Sequence, residues 1–370
     1  MKFLFLSDHA HLALDPATIR ISGGSQLQVA LLARELAAAG HDVAILGAET
    51  GQADGSVIQE VRLRKAGRFD TGGLRDTLLA LPKMLGVLSG ERPDYVVVYG
   101  WTSLLFLLAL LKRALGYRLV FVCALDAEID GGFRRENPVR GWLFETGMRL
   151  SDFRFGITRH QADLFNKRGM ASGVTRLLLQ TAGLAAGIKK PVDLLWVARC
   201  HPVKRPMLFL DLAARFPAAR CRMICSPQNA ALWNEVSARA LTMHNVEFLE
   251  SAPYGEIQHH FNAAKIFVNT STQEGVPNTF IHAGLGRTAI ASLLVDPDGM
   301  FTVFQAGFCA GDDLETLAGG IGNLLAHPAQ LADAQNEAAR FVGEWHENPA
   351  NVAAFLNGLK PGWGRDRQSV

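Results

Sequence analysis

Glu274 stands where a carboxylate could meet a ligand. It follows the apolar run Ile266–Val268 and the polar run Asn269–Gln273, and it precedes Gly275, Pro277 and Asn278. The apolar run predicts a strand and the polar run a turn. Gly275 and Pro277 then bend the chain into a helix that Asn278 caps and Thr279 begins. Backbone N–H groups at a helix start have no intrahelical partner and attract anions. A carboxylate beside such groups suits a ligand carrying both hydroxyls and phosphates. A βα loop with a surface glutamate is the competing reading.

Further groups sit at comparable positions. Arg199 and Lys204 follow the run Leu194–Ala198. Two cations there could clamp a diphosphate through charge-assisted bonds. Fixed cations would also lower the barrier for a departing diphosphate, which gains negative charge in the transition state. A basic surface loop is the alternative. Gly23-Gly24 lies between the first predicted strand and the first helix, where glycine lets backbone approach a ligand. A plain turn explains it equally well. The following residues Ser25-Gln26-Leu27-Gln28 contain no third glycine, so the dinucleotide fingerprint is absent and a nicotinamide or flavin oxidoreductase is disfavoured. Asp126 begins a triplet with Glu128 and Asp130 just past the run Leu119–Ala124. These acids could hold a metal, steer an acceptor hydroxyl, or form a solvated loop. His9 and His11 are candidate acceptor contacts or ordinary loop residues.

The elements that must position these groups alternate. Phe3–Leu6, Val43–Leu46, Tyr95–Tyr99 and Leu119–Ala124 read as buried strands, with a helix over Gln26–Ala39. The first strand–helix–strand unit implies parallel pairing with a right-handed crossover. Residues 131–141, rich in Gly and Arg, read as mobile, and a strand at 155–158 leads into a helix over 159–168. The small, Gly-containing segment Thr181–Pro191 reads as an interdomain linker. A second alternation follows, with strands at Leu194–Ala198, Arg222–Cys225, Val246–Leu249, Ile266–Val268 and Ala289–Leu293. Its helices are predicted over 206–216, 230–241, 256–264, 279–285, 314–326 and 328–342, with a last one over 349–359. The expected organisation is one Rossmann-like domain over 1–187 and a second over 188–345. A terminal helix within 346–370 is expected to pack back toward the first domain. Two doubly wound α/β domains of this kind place ligands at the carboxyl ends of their strands.

Composition sets the outer bounds. A chain of 370 residues, 49% hydrophobic and 19% charged, is globular and long enough for two cores. A net charge of +2 gives no drive toward nucleic acid. Local charge is less even: Arg134, Arg135, Arg140, Arg149, Arg154, Arg159, Lys167, Arg168 and Arg176 outnumber the acids between 131 and 176. That surplus is either a set of solvated helix faces or a face toward an anionic acceptor or membrane. The five cysteines form no CxxC pair, which fits a reduced compartment. No signal peptide is read at the N-terminus, and the apolar run Leu104–Leu111 is too short to span a bilayer. It reads as a buried helix or as an interfacial membrane element.

Together these residues resemble the GT-B retaining glycosyltransferases of family 4, most closely the bacterial surface-polysaccharide type. The likeness rests on Gly23-Gly24 with the helix residues 31–36, the turn Gly40-His41-Asp42-Val43, and Arg199 with Lys204. It rests also on residues 267–271 with Glu274-Gly275-Val276-Pro277-Asn278, and on Val295-Asp296-Pro297-Asp298. The resemblance implies two facing Rossmann-like domains with a cleft, acceptor-binding over 1–187 and nucleotide-sugar-binding over 188–345, and hexosyl transfer from a nucleotide-diphosphate sugar without metal or organic cofactor. Gly23 and Gly24 would lie near the donor phosphates, and Arg199 and Lys204 on the diphosphate. Glu274, beside Gly275, would hold sugar hydroxyls, and the N–H groups of Asn278 and Thr279 would cap the phosphates. Asp126 matches a position near the reacting centre. A sugar or lipid-linked acceptor and a cytoplasmic location, peripheral on an anionic inner membrane face, are expected, with no nucleic-acid partner. The pattern departs at His282, where the family carries a second Glu that accepts from the ribose hydroxyls. A histidine accepts only when neutral. Glu250, Arg287 and Ser226-Pro227 depart as well. These departures leave an inactive relative that binds a nucleotide sugar or a protein partner as the alternative.

Overall fold

The computed structural model describes residues 1–15, 23–69, 74–179 and 189–360. Its first sheet is built from β1 (Lys2–Leu6), β2 (Asp42–Gly47), β3 (Val57–Ile58), β4 (Val61–Lys65), β5 (Tyr95–Tyr99), β6 (Arg118–Val122), β7 (Phe153–Gly156) and β8 (Gly173–Val174). The spatial order is β3-β4-β2-β1-β5-β6-β7-β8, with every pairing parallel except β3 on β4. The connecting helices are α1 (Gly24–Ala38), α2 (Leu74–Glu91), α3 (Leu105–Leu115), α4 (Gly132–Glu136), α5 (Pro138–Leu150) and α6 (Arg159–Lys167). Central strands such as Phe3–Leu6 and Val96–Val98 are buried on both faces, which is why they read as unbroken apolar runs.

The second sheet has six parallel strands: β9 (Val192–Arg199), β10 (Cys221–Ser226), β11 (Val246–Leu249), β12 (Ala264–Asn269), β13 (Ala289–Ser292) and β14 (Gly307–Cys309). Their order is β11-β10-β9-β12-β13-β14. The associated helices are α7 (Pro206–Arg215), α8 (Ala230–Leu241), α9 (Ile257–Asn262), α10 (Asn278–Leu285), α11 (Met300–Phe304), α12 (Leu314–Ala326) and α13 (Pro328–Trp345). The final helix, α14 (Asn348–Gly358), packs on α1 and β8, and Phe355 lies 5.0 Å from Phe155 and 6.4 Å from Phe3. The chain therefore divides into one unit of residues 1–179 with 348–370, and another of residues 180–347. The predicted linker lies largely outside the described residues.

Two local expectations need correction. Asn278 does not cap α10: it is the first helical residue, and Pro277, with φ −64° and ψ 126°, occupies the capping position. Proline sets the entry angle there without offering a side-chain acceptor. Residues 131–141 are not a loose segment but α4 and the start of α5. Gly141 is small for a packing reason: a Cβ there would stand 2.4 Å from the Arg134 Cα.

Candidate functional site

The carboxyl edge of the second sheet collects the polar groups predicted from the sequence. β9 and β12 are neighbours, with Leu194 opposite Ile266. The loops that follow them must therefore emerge side by side, although about seventy residues separate them in sequence. β12 ends at Asn269, whose side-chain oxygen accepts the Ser271 N–H at 2.9 Å and turns the chain. Asn269 Nδ2 and Ser271 Oγ then donate to Glu274 Oε1 at 3.2 and 2.7 Å. The second oxygen, Oε2, lies 2.7 Å from Lys204 Nζ, and both side chains are largely covered. Glu274 is thus aimed and held by three donors rather than waving in a surface loop. The ion pair joins two of the residues singled out above.

Gly275, Val276 and Pro277 are buried, and α10 starts immediately after them. The N–H groups of Asn278 and Thr279 belong to its first turn, where intrahelical acceptors are lacking. Arg199 closes β9 opposite Ser226 and is exposed at the same edge as Lys204. Two residues the sequence reading passed over hold this edge in shape. Arg205, at φ +47°, donates from Nε to the Thr270 carbonyl at 2.6 Å and pairs with Asp312 at 2.5 Å. Thr270 donates to the Lys204 carbonyl at 2.6 Å and accepts from the Trp196 ring N–H at 2.9 Å. The strand-end polar run 269–271 was their only sequence signal.

His282 sits one turn into α10 and stacks on Phe261, ring centroids 5.4 Å apart. Its Nδ1 is 2.8 Å from Gln258 Oε1, while Gln258 Nε2 donates to Asn262 Oδ1 and to the His282 carbonyl. Those two acceptors fix the amide orientation, so Nδ1 is the protonated nitrogen and Nε2 carries the lone pair. Burial pushes the His282 pKa down to about 4, so the ring is neutral at pH 7. Arg287 turns away from this edge and donates to Asn336 of α13 at 2.6 Å.

In the first unit, Gly23 and Gly24 stand at the start of α1, with Gly23 extended at φ −178° and offering no side-chain cap. Asp126 opens the loop after β6. It accepts from Gln161 Nε2 at 3.0 Å and faces His160 Nε2 at 3.6 Å. The acidic triplet does not converge: Glu128 turns inward and accepts the N–H groups of Trp101 at 3.0 Å and Ala124 at 2.8 Å. Burial raises its pKa to about 7. It clamps the loop after β5 to the loop that carries Asp126, a role the sequence did not signal. His11 is buried, with Nε2 2.8 Å from Thr50 Oγ1, and burial lowers its pKa to about 4. Among the described residues no three His, Cys, Asp or Glu side chains cluster as metal ligands.

Residues 23–179 match the model of the glycosyl transferase 4-like domain. Solved structures share the architecture over the whole chain. Sucrose-phosphate synthase from Thermosynechococcus elongatus superposes with a TM-score of 0.77 at 15% identity, covering 96% of this chain and 97% of that one. Anabaena HepE in complex with UDP gives 0.72 at 14% identity, covering 97% and 99%. A mutant of TarM from S. aureus, in complex with fondaparinux, alpha-GlcNAc-glycerol and UDP, gives 0.74 at 10% identity, covering 97% and 99%. The chain has the GT-B fold, and its residues 23–179 carry a glycosyl transferase 4-like domain. No curated protein matches its sequence. The family model lies within the first unit, and the fold likeness extends to the second, which carries Lys204 and Glu274.

Proposed function

We propose that this glycosyltransferase moves a sugar from a nucleotide-diphosphate sugar to a hydroxyl acceptor, with retained anomeric configuration and without a metal. The observation that carries the reading is the Lys204–Glu274 pair beside the first turn of α10. Arg199, Lys204 and the N–H groups of Asn278 and Thr279 take the donor diphosphate. Glu274 and the Gly275 backbone meet the sugar hydroxyls, Gly23 and Gly24 approach the phosphates, and His282 Nε2 accepts from the ribose. As the anomeric C–O bond to phosphate breaks, negative charge grows on the leaving diphosphate, where the cations and helix N–H groups stabilise it. The acceptor oxygen bonds to the anomeric carbon on the same face, and its proton passes to the leaving phosphate oxygen. Asp126, which accepts from Gln161 and faces His160, steers the acceptor hydroxyl in this reading. Sugar or lipid-linked acceptors of polysaccharide or glycolipid assembly fit this chemistry, at a cytoplasmic location peripheral to an anionic membrane.

A thermal-shift panel of nucleoside diphosphates and nucleotide sugars identifies the donor, because a ligand bound only by the folded state raises the melting temperature. With that donor, transfer is expected to survive chelator, and the product to keep the donor's anomeric configuration by NMR. Inversion, or loss of transfer on chelation, would overturn the mechanism. Binding without turnover toward any acceptor would instead identify an inactive relative.

A further inference from the structure

One ammonium closes the base of the strand, loop and helix that carry Glu274. Lys190 lies just before β9. Its Nζ donates to the carbonyls of Ala264 at 2.9 Å and Gly286 at 2.8 Å. Ala264 is the first residue of β12, and Gly286 is the residue that ends α10. The segment between them runs out along β12, turns through the loop holding Glu274, and returns along α10. Lys190 therefore joins both ends of a unit whose tip holds Glu274 and the N–H groups of Asn278 and Thr279. The same Nζ donates at 3.1 Å to the carbonyl of Asn262, the last residue of α9, and lies 3.3 Å from Thr288 Oγ1. The ends of α9 and α10 touch here: a Cβ on Gly286 would stand 2.9 Å from the Phe261 carbonyl carbon.

This is the chemistry of a cation at two helix C-termini. The last carbonyls of a helix have no intrahelical donor, and the aligned peptide dipoles leave about half a negative charge there. Lys190 satisfies one such carbonyl on α9 and one at the end of α10. Its bonded partners are three carbonyls and a hydroxyl, none of them ionised. Burial lowers its pKa to about 8, so it stays charged at pH 7. Holding that charge half-buried costs desolvation that a neutral side chain would avoid. The charge has a use at the other end of the helix. α10 has eight residues and is about 12 Å long. In a helix this short, the negative C-terminal end opposes an anion at the N-terminal end, and a cation placed there removes the opposition.

We propose that Lys190 is a positioning residue for the donor diphosphate. It fixes the base of the β12–α10 unit, and it neutralises the far end of the helix whose first N–H groups take the phosphates. The inference rests on the diphosphate reading above and adds to it a residue that acts from the opposite end of α10.

The test is calorimetric titration with whichever of UDP, GDP, ADP and dTDP binds tightest. Lys190→Met should weaken binding about fivefold, and Lys190→Arg, which keeps the charge, less than about twofold. Thr288→Val removes a fully buried hydroxyl from the same cluster, one that donates to the Phe261 carbonyl at 2.6 Å, but removes no charge. It should lower the melting temperature and leave the affinity within about twofold. Circular dichroism at the titration temperature establishes that each variant is folded. The wild type supplies a second measurement that needs no substitution. Its affinity should fall as pH rises through about 8, where Lys190 loses its proton. The contribution of Lys190 to stability rises over the same range, because the folded state releases that proton before the unfolded chain, whose lysine titrates at the ordinary 10.5. A merely structural role would move affinity and stability together. Wild-type affinity in folded Lys190→Met, an equal loss in Thr288→Val, or an affinity that stays level through pH 8 would overturn the proposal and leave diphosphate binding standing. Binding of none of the four nucleotides by the wild type would overturn the diphosphate reading itself, and this inference with it.

Discussion

Replacing Glu274 with glutamine separates the two halves of the proposed donor site. The carboxamide keeps the shape and can still accept from Asn269 and Ser271, so the loop should hold. What is lost is the charge 2.7 Å from Lys204. At that distance the attraction is on the order of 6 kcal/mol for an effective dielectric of 20, and desolvation offsets most of it. A net of about 1–2 kcal/mol is a reasonable magnitude for a pair this well covered. Without ligand, Lys204 is occupied by Glu274, and a diphosphate must compete for it. Glu274→Gln removes the competitor, so a nucleoside diphosphate without sugar should bind as tightly as before or up to about tenfold tighter. A nucleotide sugar gains the same phosphate term but loses charge-assisted bonds to its hydroxyls, each worth about 1.5–3 kcal/mol. Its affinity should therefore fall about tenfold, and turnover about a hundredfold. Lys204→Met should weaken both ligands together. Calorimetric titration with a matched diphosphate and sugar nucleotide reads both affinities. If Glu274→Gln weakens the two ligands equally, Glu274 does not hold the sugar and the assignment fails.

Two further perturbations address α10. The folded-state pKa of His282 lies near 4, below its ordinary 6.5, so the unfolded chain takes up the proton first as pH falls. Its stabilising contribution is thus full above pH 6.5 and is lost between 6.5 and 4. His282→Gln should flatten that part of the stability–pH profile by up to about 3 kcal/mol in urea unfolding. Sugar-nucleotide affinity of the wild type should stay level through pH 6.5, and a midpoint there that His282→Gln abolishes would show that burial does not hold the ring neutral. Gly284 meets α13 so closely that a Cβ would lie 2.2 Å from Val342 Cγ2 and 2.5 Å from the Ala338 carbonyl. Gly284→Ala should destabilise by about 1–3 kcal/mol and, by tilting α10, weaken diphosphate binding. Unchanged affinity in a destabilised variant would detach the helix N-terminus from the phosphate site.

The alternation of strand and helix was legible because parallel strands buried on both faces leave continuous apolar runs, as at Phe3–Leu6 and Tyr95–Tyr99. β4 escaped the same reading. It is an outer strand, Val61-Arg62-Leu63-Arg64-Lys65, whose cations serve a buried partner: Arg62 lies 3.2 Å from Glu91, and Arg64 pairs with it too. Charge there signals a structural pair rather than a surface loop. α2 was hidden by Pro82 within the helix. The glycines of residues 131–141 were misread for a related reason, since glycine marks close packing as readily as freedom. Glu274, Lys204 and His282 could be singled out in the sequence, but the Lys204–Glu274 pairing and the Gln258 contact of His282 could not, because each joins two different elements.

The partners decide what the chemistry can be. In the sequence, Glu274 was a loop acid and Lys204 one cation of a basic run. Adjacency of β9 and β12 makes them a pair, and Arg205 fastens the two loops so that the pair is held before any ligand arrives. His282 follows the same logic. A glutamate there would bring a second negative charge to the edge proposed to take a diphosphate, whereas an imidazole held neutral beside Gln258 brings none. In that reading histidine lowers repulsion toward a diphosphate while reducing the number of acceptors near a ribose. A protein built this way should depend more on Lys204 and the α10 N–H groups, and less on its ribose contact, for holding a donor.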